Sequence, residues 1–189
     1  MKSYTRRELS KLKKEIKLAL ESKHSYKSLI KIYYTSFEVL LYFRTSGHNK
    51  LSKDDFDFWT KARDEAAFTV PKIEKEVLPL FVQVMELEDS LIRARHMCFH
   101  PHGDPDREKK YYALLKQSIE NKDYYRDLRQ LAGIYLDLLS NEPEEEGYKL
   151  WRYYYDRLSD MTGTPKRGFA EEDAERVSFI EMLTISCKG

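Results

Sequence analysis

The sequence predicts an all-α protein, an antiparallel helical bundle with an additional C-terminal helical segment. Three observations carry that prediction. Apolar residues recur every three or four positions along most of the chain, the period of one face of an α-helix. Seven glycines and six prolines punctuate 189 residues, and most fall between the periodic stretches. No alternating run of β-branched residues is long enough to argue for a sheet.

Each element has its own start and stop signals. Thr5-Arg-Arg-Glu8 reads as a capping box opening a first helix, with Leu9, Leu12, Ile16 and Leu20 along one stripe. Ser25 can cap a second helix carrying Leu29, Ile30, Tyr33, Phe37, Leu40, Leu41 and Phe43, apolar over so wide an arc that it belongs in the middle of the bundle. Ser46-Gly47 should end it. Ser52-Lys-Asp-Asp55 opens a third helix with Phe56, Trp59, Ala62, Ala66 and Ala67. Pro71 suits the first turn of a fourth, whose stripe runs through Leu78, Phe81, Val84, Met85, Leu91 and Ile92 to Arg95. Pro79 should kink this helix or delay its start. Asp104-Pro105 begins one long helix expected to run from Tyr111 to Leu138, ended by Asn141-Glu-Pro143. An aromatic segment follows, from Tyr148 through Trp151 and Tyr153-Tyr154-Tyr155 to Leu158, then a loop over 161–168 and a short last helix near 171–185.

Composition narrows the class. Hydrophobic residues at 41% and charged residues at 34% suit a globular chain able to bury a core. Nothing approaches the 18 or so consecutive apolar residues of a membrane span, so no membrane association is expected. The first residues lead into charged helix rather than the apolar run of a signal peptide. Two cysteines, Cys98 and Cys187, cannot make a disulfide framework, and a cytoplasmic location is the expectation. The net charge of +1 is unevenly spread. Residues 1–31 hold ten Lys or Arg against three acids, while Glu142-Pro-Glu-Glu-Glu146 and Glu171-Glu172-Asp173 are acidic. The basic end could face nucleic acid or an acidic partner, or be a solvated lysine face.

The stretch richest in chemistry is Arg93-Ala-Arg95-His96-Met-Cys98-Phe-His100-Pro-His102-Gly-Asp-Pro105. Three of the five histidines fall within seven residues, where helical periodicity gives way to a Pro/Gly turn. Arg95 and His100 stand five positions apart, with four residues between them, on either side of the break. Cleavage of RNA by its own 2′-hydroxyl needs a group to move that proton, and imidazole does so near its reference pKa of about 6.5. A guanidinium stays charged and grips phosphate oxygens in pairs. No metal or other cofactor is required by this scheme.

Arg95-His-Met-Cys-Phe-His100 resembles the R-x4-6-H signature of HEPN domains, helical proteins that carry it between two core helices. The resemblance covers this motif and the all-α order of residues 1–140, leaving 141–189 as a C-terminal helical extension packed on the bundle or on a partner. It implies a metal-independent endoribonuclease of a toxin–antitoxin, abortive-infection or other antiviral defence system. It further implies a homodimer whose two motifs meet, with an antitoxin or another protein as a possible partner. Arg95 and His100 would be catalytic, and His96, Arg93 and His102 would bind substrate.

Other readings of these residues lead elsewhere. His96-x-Cys98-x-His100-x-His102 offers zinc ligands at every second position, a spacing that gathers them only in an extended chain. Glu21-Ser-Lys-His24 matches half of a di-iron carboxylate motif without its second half. Arg95 could instead pair with Glu88 or Asp89 and serve structure alone. The tyrosine pairs 111–112 and 124–125 and the triplet 153–155 could stack on bases or form core. On the second view, the protein is a non-catalytic helical adaptor whose partner surfaces are 148–155 and 142–146.

Overall fold

A computed structural model describes residues 4–22, 25–45, 51–98 and 105–165. Among them every regular element is helical: α1 (Arg6–Glu21), α2 (Tyr26–Thr45), α3 (Lys53–Thr69), a 3-10 turn (Val70–Ile73), α4 (Glu74–Cys98), α5 (Pro105–Glu120), α6 (Lys122–Leu138) and α7 (Glu146–Thr162). The protein is all-α, as its periodicity predicts.

The start signals at Thr5 and Ser52 act as read, whereas Pro71 lies in the 3-10 turn and the fourth helix begins only at Glu74. Thr5 accepts from the Glu8 amide at 3.2 Å while Glu8 reaches back to the Thr5 amide at 2.7 Å. Ser52 caps α3 through the Asp55 amide at 3.2 Å. Pro79 neither shortens nor delays α4, which begins five residues before it and continues past it. The expected single helix from Pro105 to Leu138 is instead two. Asn121 separates α5 from α6, although its amide still donates to the Gln117 carbonyl and its own carbonyl accepts from the Tyr125 amide. Tyr111, Leu114, Leu115 and Ser118 stay in helical phase with Tyr125, Leu128 and Ala132, so the pattern crosses the break unchanged. What differs is the surface each half packs on.

α2 lies between α1 and α3, and α6 packs across α2 and pairs with α7. The 3-10 turn touches α2, α3, α4 and α6, which places it at the centre. Leu131 to Leu136 are buried without interruption, since α6 is enclosed by neighbours on several sides. Tyr135 stacks on Trp151, and Phe81 of α4 meets Trp151 and Tyr154 edge-on or tilted at 5.1 Å. One buried cluster therefore crosses residue 140, and α7 belongs to it. Residues 166–189, including the helix expected near 171–185, lie outside the described residues.

α4 outruns this core. Val77, Phe81, Val84 and Met85 are buried, whereas no described side chain beyond Asp89 is. Its later turns pack against α5, none of whose described side chains is buried. The α4–α5 pair is thus an arm standing off the bundle, and residues 99–104, which link the two helices, lie outside the described residues.

Candidate functional site

The site begins with the last turns of α4. Arg93, Arg95 and His96 are all exposed, and none makes a hydrogen bond or ion pair with another described residue. Cations at a helix C-terminus are favoured by the unsatisfied carbonyls there, which helps the helix persist to Cys98. Arg93 and Arg95 are two positions apart, about 200° around the axis, so they serve opposite sides of the arm. The same geometry separates positions 96 and 98, which the alternating zinc arrangement needs on one face. His100 and His102 lie outside the described residues, as does His24.

The ion pairs considered for Arg95 do not form. Glu88 and Asp89 are instead taken by Arg157 of α7, with Nε to Glu88 Oε2 at 2.6 Å and Nη2 to Asp89 Oδ1 at 2.8 Å. Burial raises the Glu88 carboxyl above its ordinary range even though Arg157 pulls it down. Burial also works against the Arg157 charge, but its bonds to both acids outweigh this and hold it protonated. Arg157 additionally donates to the Tyr153 hydroxyl at 3.2 Å and covers that ring. This clamp joins α7 to the base of the arm and leaves Arg95 without a bond to either acid.

A second arginine that sequence reasoning missed is Arg129. Its guanidinium lies 4.5 Å from the Tyr155 ring centroid. It donates to Ser159 Oγ at 2.7 Å, Tyr155 Oη at 2.7 Å and the Pro165 carbonyl at 3.2 Å. Neutral oxygens thus satisfy it, and it pins the chain just past the end of α7. Nothing in the helical period distinguishes Arg129 or Arg157 from surface arginines, because apart from Tyr153 their hydrogen-bond partners lie 26 to 69 residues away in sequence.

The tyrosines divide between core and surface. Tyr125, Tyr154 and Tyr155 are buried with Trp151, so within 148–155 one face belongs to the core while Lys149, Leu150 and Tyr153 stay exposed on the other. Tyr112 and Tyr153 are exposed, and of these only Tyr112 belongs to the arm. Lys109, Lys110 and Lys116 stand exposed on the same helix. On α1 the basic residues Arg7, Lys11, Lys14 and Lys17 face solvent, while Lys13 is bonded to Asp55 at 2.6 Å. That bond and Ser52 hold the Asp55 carboxyl below its usual value. The same pair lines a cleft of about 720 Å³ between α1, α2 and α3, floored by Tyr4, Phe43 and Trp59. The cleft is lined by none of the motif's residues, and its central cation and carboxylate neutralise each other.

No family model, curated protein or solved structure matches this chain. No helix among the described residues is long and apolar enough to cross a membrane.

Proposed function

We propose that this protein is a cytoplasmic, metal-independent endoribonuclease of the toxin or antiphage-defence kind, working as a homodimer with its reactive groups at the tip of the α4–α5 arm. The observation that carries this reading is the exposure of Arg95 and His96 on the last turns of α4, with neither engaged by another described residue. A guanidinium already tied to a carboxylate would have to break that pair to take a phosphate, and Arg157 spares Arg95 this cost by occupying both nearby acids.

In the proposed reaction the RNA 2′-oxygen attacks the adjacent phosphorus and the bond to the 5′-oxygen breaks. The proton lost by the 2′-hydroxyl ends on the departing 5′-oxygen, with His100 carrying it, and Arg95 balances the charge growing on the phosphoryl oxygens. The products are a 2′,3′-cyclic phosphate and a 5′-hydroxyl. Arg93, His96 and His102 would hold flanking phosphates, and Tyr112 offers a ring on which a base can stack.

The test is cleavage of labelled single-stranded RNA by the full chain, with and without EDTA. Cutting that survives EDTA, leaves cyclic-phosphate ends and is lost in Arg95→Ala and in His100→Ala is expected. Undiminished cutting by the double variant would remove the assignment.

The adaptor reading keeps one specific support, the wholly exposed acidic turn 141–146. Glu142 there raises the Glu145 carboxyl, so like charges crowd together. Because α7 supplies Trp151, Tyr155 and Leu158 to the core, removing everything after 140 would unfold the bundle rather than test a surface. Replacing Glu142, Glu144 and Glu145 with Lys is the cleaner probe. An adaptor would lose its partner in pull-down from cells, whereas a nuclease would keep its cleavage rate.

A further inference from the structure

The charged residues of α1 divide by what they already hold. Glu8 closes the capping box with Thr5, and Glu15 is bonded to Lys31 of α2 at 2.9 Å. Lys31 holds the Glu15 carboxyl below its ordinary value, with a smaller pull from Lys11. Lys13 is bonded to Asp55 of α3 at 2.6 Å. Arg7, Lys11, Lys14 and Lys17 are exposed, and none makes a hydrogen bond or ion pair with another described residue. The fold therefore uses the acids of this helix and leaves four of its cations facing water.

The four stand in a row. At 100° per residue, Arg7, Lys11 and Lys14 fall within about 60° of arc on the side opposite Leu12 and Ile16, and Lys17 lies about 60° further round. From Arg7 to Lys17 the helix advances about 15 Å. The helix is fixed to the bundle through Leu9, Leu12, Ile16 and Leu20, so the row keeps its place. Glu21, one turn beyond Lys17, is the acid on this side, and Leu18, 64% exposed, is its large apolar residue.

The surroundings favour one kind of polyanion for this row. An anionic membrane takes up a helix by its apolar face, and that face of α1 is already packed in the core. Protein interfaces are depleted of lysine and centre on aromatic and apolar groups, whereas this side offers Leu18 alone. A single strand needs rings on which its bases stack, and no aromatic residue stands among the four cations. A duplex lines its edges with phosphates and carries one charge per ~1.7 Å of axis, so about nine lie within the length of the row. With a net charge of +1 the molecule as a whole exerts little pull on a polyanion, and attraction has to come from a local face.

We propose that the solvent face of α1 binds the phosphate backbone of a nucleic-acid duplex, with Arg7, Lys11, Lys14 and Lys17 each neutralising a phosphate. The contact is independent of sequence, because these cations hold phosphates rather than base edges. The proposal stands on where the fold leaves its cations and is independent of the nuclease reading.

The test uses the full chain and a fluorescein-labelled DNA duplex, which lacks the 2′-hydroxyl and so cannot be cut by the reaction proposed above. Binding is followed by fluorescence anisotropy from about 50 to about 200 mM salt. Replacing Arg7, Lys11, Lys14 and Lys17 together with Gln should weaken binding at least about a hundredfold at the low-salt end while the melting temperature holds. The log–log salt slope should flatten by about 3.6, or about 0.9 for each lost contact. Lys14→Gln alone, with an expected change of about 0.9, keeps the test sharp if the fourfold variant unfolds. Gln at Lys53, Lys61, Lys72 and Lys75, all exposed, removes the same charge elsewhere and should leave binding close to that of the parent. Equal weakening in that control would overturn the proposal, as would a salt slope that the α1 variants leave unchanged or a parent chain that binds no duplex. Tighter binding of a single strand, or displacement of the duplex by polyglutamate at equal charge, would overturn it as well by assigning the face to another occupant.

Discussion

Tyr135 and Trp151 lie face to face, ring centroids 3.7 Å apart and planes within 2° of parallel. The pair joins α6 to α7, and the Tyr135 hydroxyl donates to the Val70 carbonyl at 2.9 Å, tying both helices to the junction of α3 with the 3-10 turn. Burial pushes this phenol well above its ordinary pKa, so it remains a donor across the working pH range. Trp151→Ala is expected to cost about 3–5 kcal/mol, the range for a large aromatic removed from a packed core. Tyr135→Phe keeps the stack but strands a buried carbonyl, at about 1–3 kcal/mol. Urea unfolding followed by far-UV circular dichroism measures both, and a Trp151→Ala loss under ~1 kcal/mol would refute the central placement of α7.

Gly133 sits where α6 passes Tyr34 of α2. A Cβ there would lie 2.8 Å from the Tyr34 oxygen and 3.6 Å from the Tyr155 ring. Tyr34 is held in place by its bond to the Gln130 carbonyl at 3.0 Å. Helix propensity alone favours alanine by about 1 kcal/mol, whereas overpacking costs about 1–3 kcal/mol, so Gly133→Ala should be net destabilising. In a Tyr34→Phe background the clashing oxygen is gone and the same substitution should become stabilising. A sign that stays unchanged between the two backgrounds would contradict this close approach.

The Glu88–Arg157 clamp gives a pH signature. Burial raises the Glu88 carboxyl in the folded chain above its unfolded value. The folded state therefore binds the proton more readily, favouring folding below the unfolded value and losing that contribution as pH rises through the raised one. Arg157→Met removes the hydrogen bond and the charge that oppose this rise. With Arg157 about a quarter exposed, its loss should cost about 2–3 kcal/mol at pH 7, less than a fully buried pair. The gap in melting temperature between variant and wild type should narrow from pH 7 to pH 5, because protonated Glu88 needs no cation. A gap that widens on acidification would show that Glu88 is not the group left stranded.

Arg95→Ala and His96→Ala should each change stability by no more than about 0.5 kcal/mol, since both side chains are exposed and bond to no other described residue. Thermal unfolding of the two variants beside Arg157→Met makes the contrast. A large loss for Arg95→Ala would mean that it supports the fold, which would leave the structural reading in place of the catalytic one.

Much of the architecture was legible in the residues because helix signals are local. The capping residues Thr5 and Ser52 act within one turn, and the stripe containing Leu29, Tyr33 and Leu40 needs only the helical period to be recognised. The break at Asn121 was not legible, since the apolar phase runs through it and the turn arises from where each half packs. The aromatic segment 148–155 was ambiguous for a related reason. Composition cannot tell a tyrosine that stacks in a core from one that waits at a surface. At the site, the placement of Arg95 near the end of a helix could be read in advance, but its release from Glu88 and Asp89 depended on Arg157, far along the chain.

The sequence by itself determined the helical class, most helix starts and the position of the Arg/His cluster at the end of the fourth helix, because each depends on neighbours within a turn or two. Only the tertiary structure decided that α7 completes the core, that α4 and α5 stand off it as an arm, and that α7 takes the acids nearest Arg95. Those outcomes depend on which surfaces meet, and contacts between distant segments leave no periodic mark in the order of the residues.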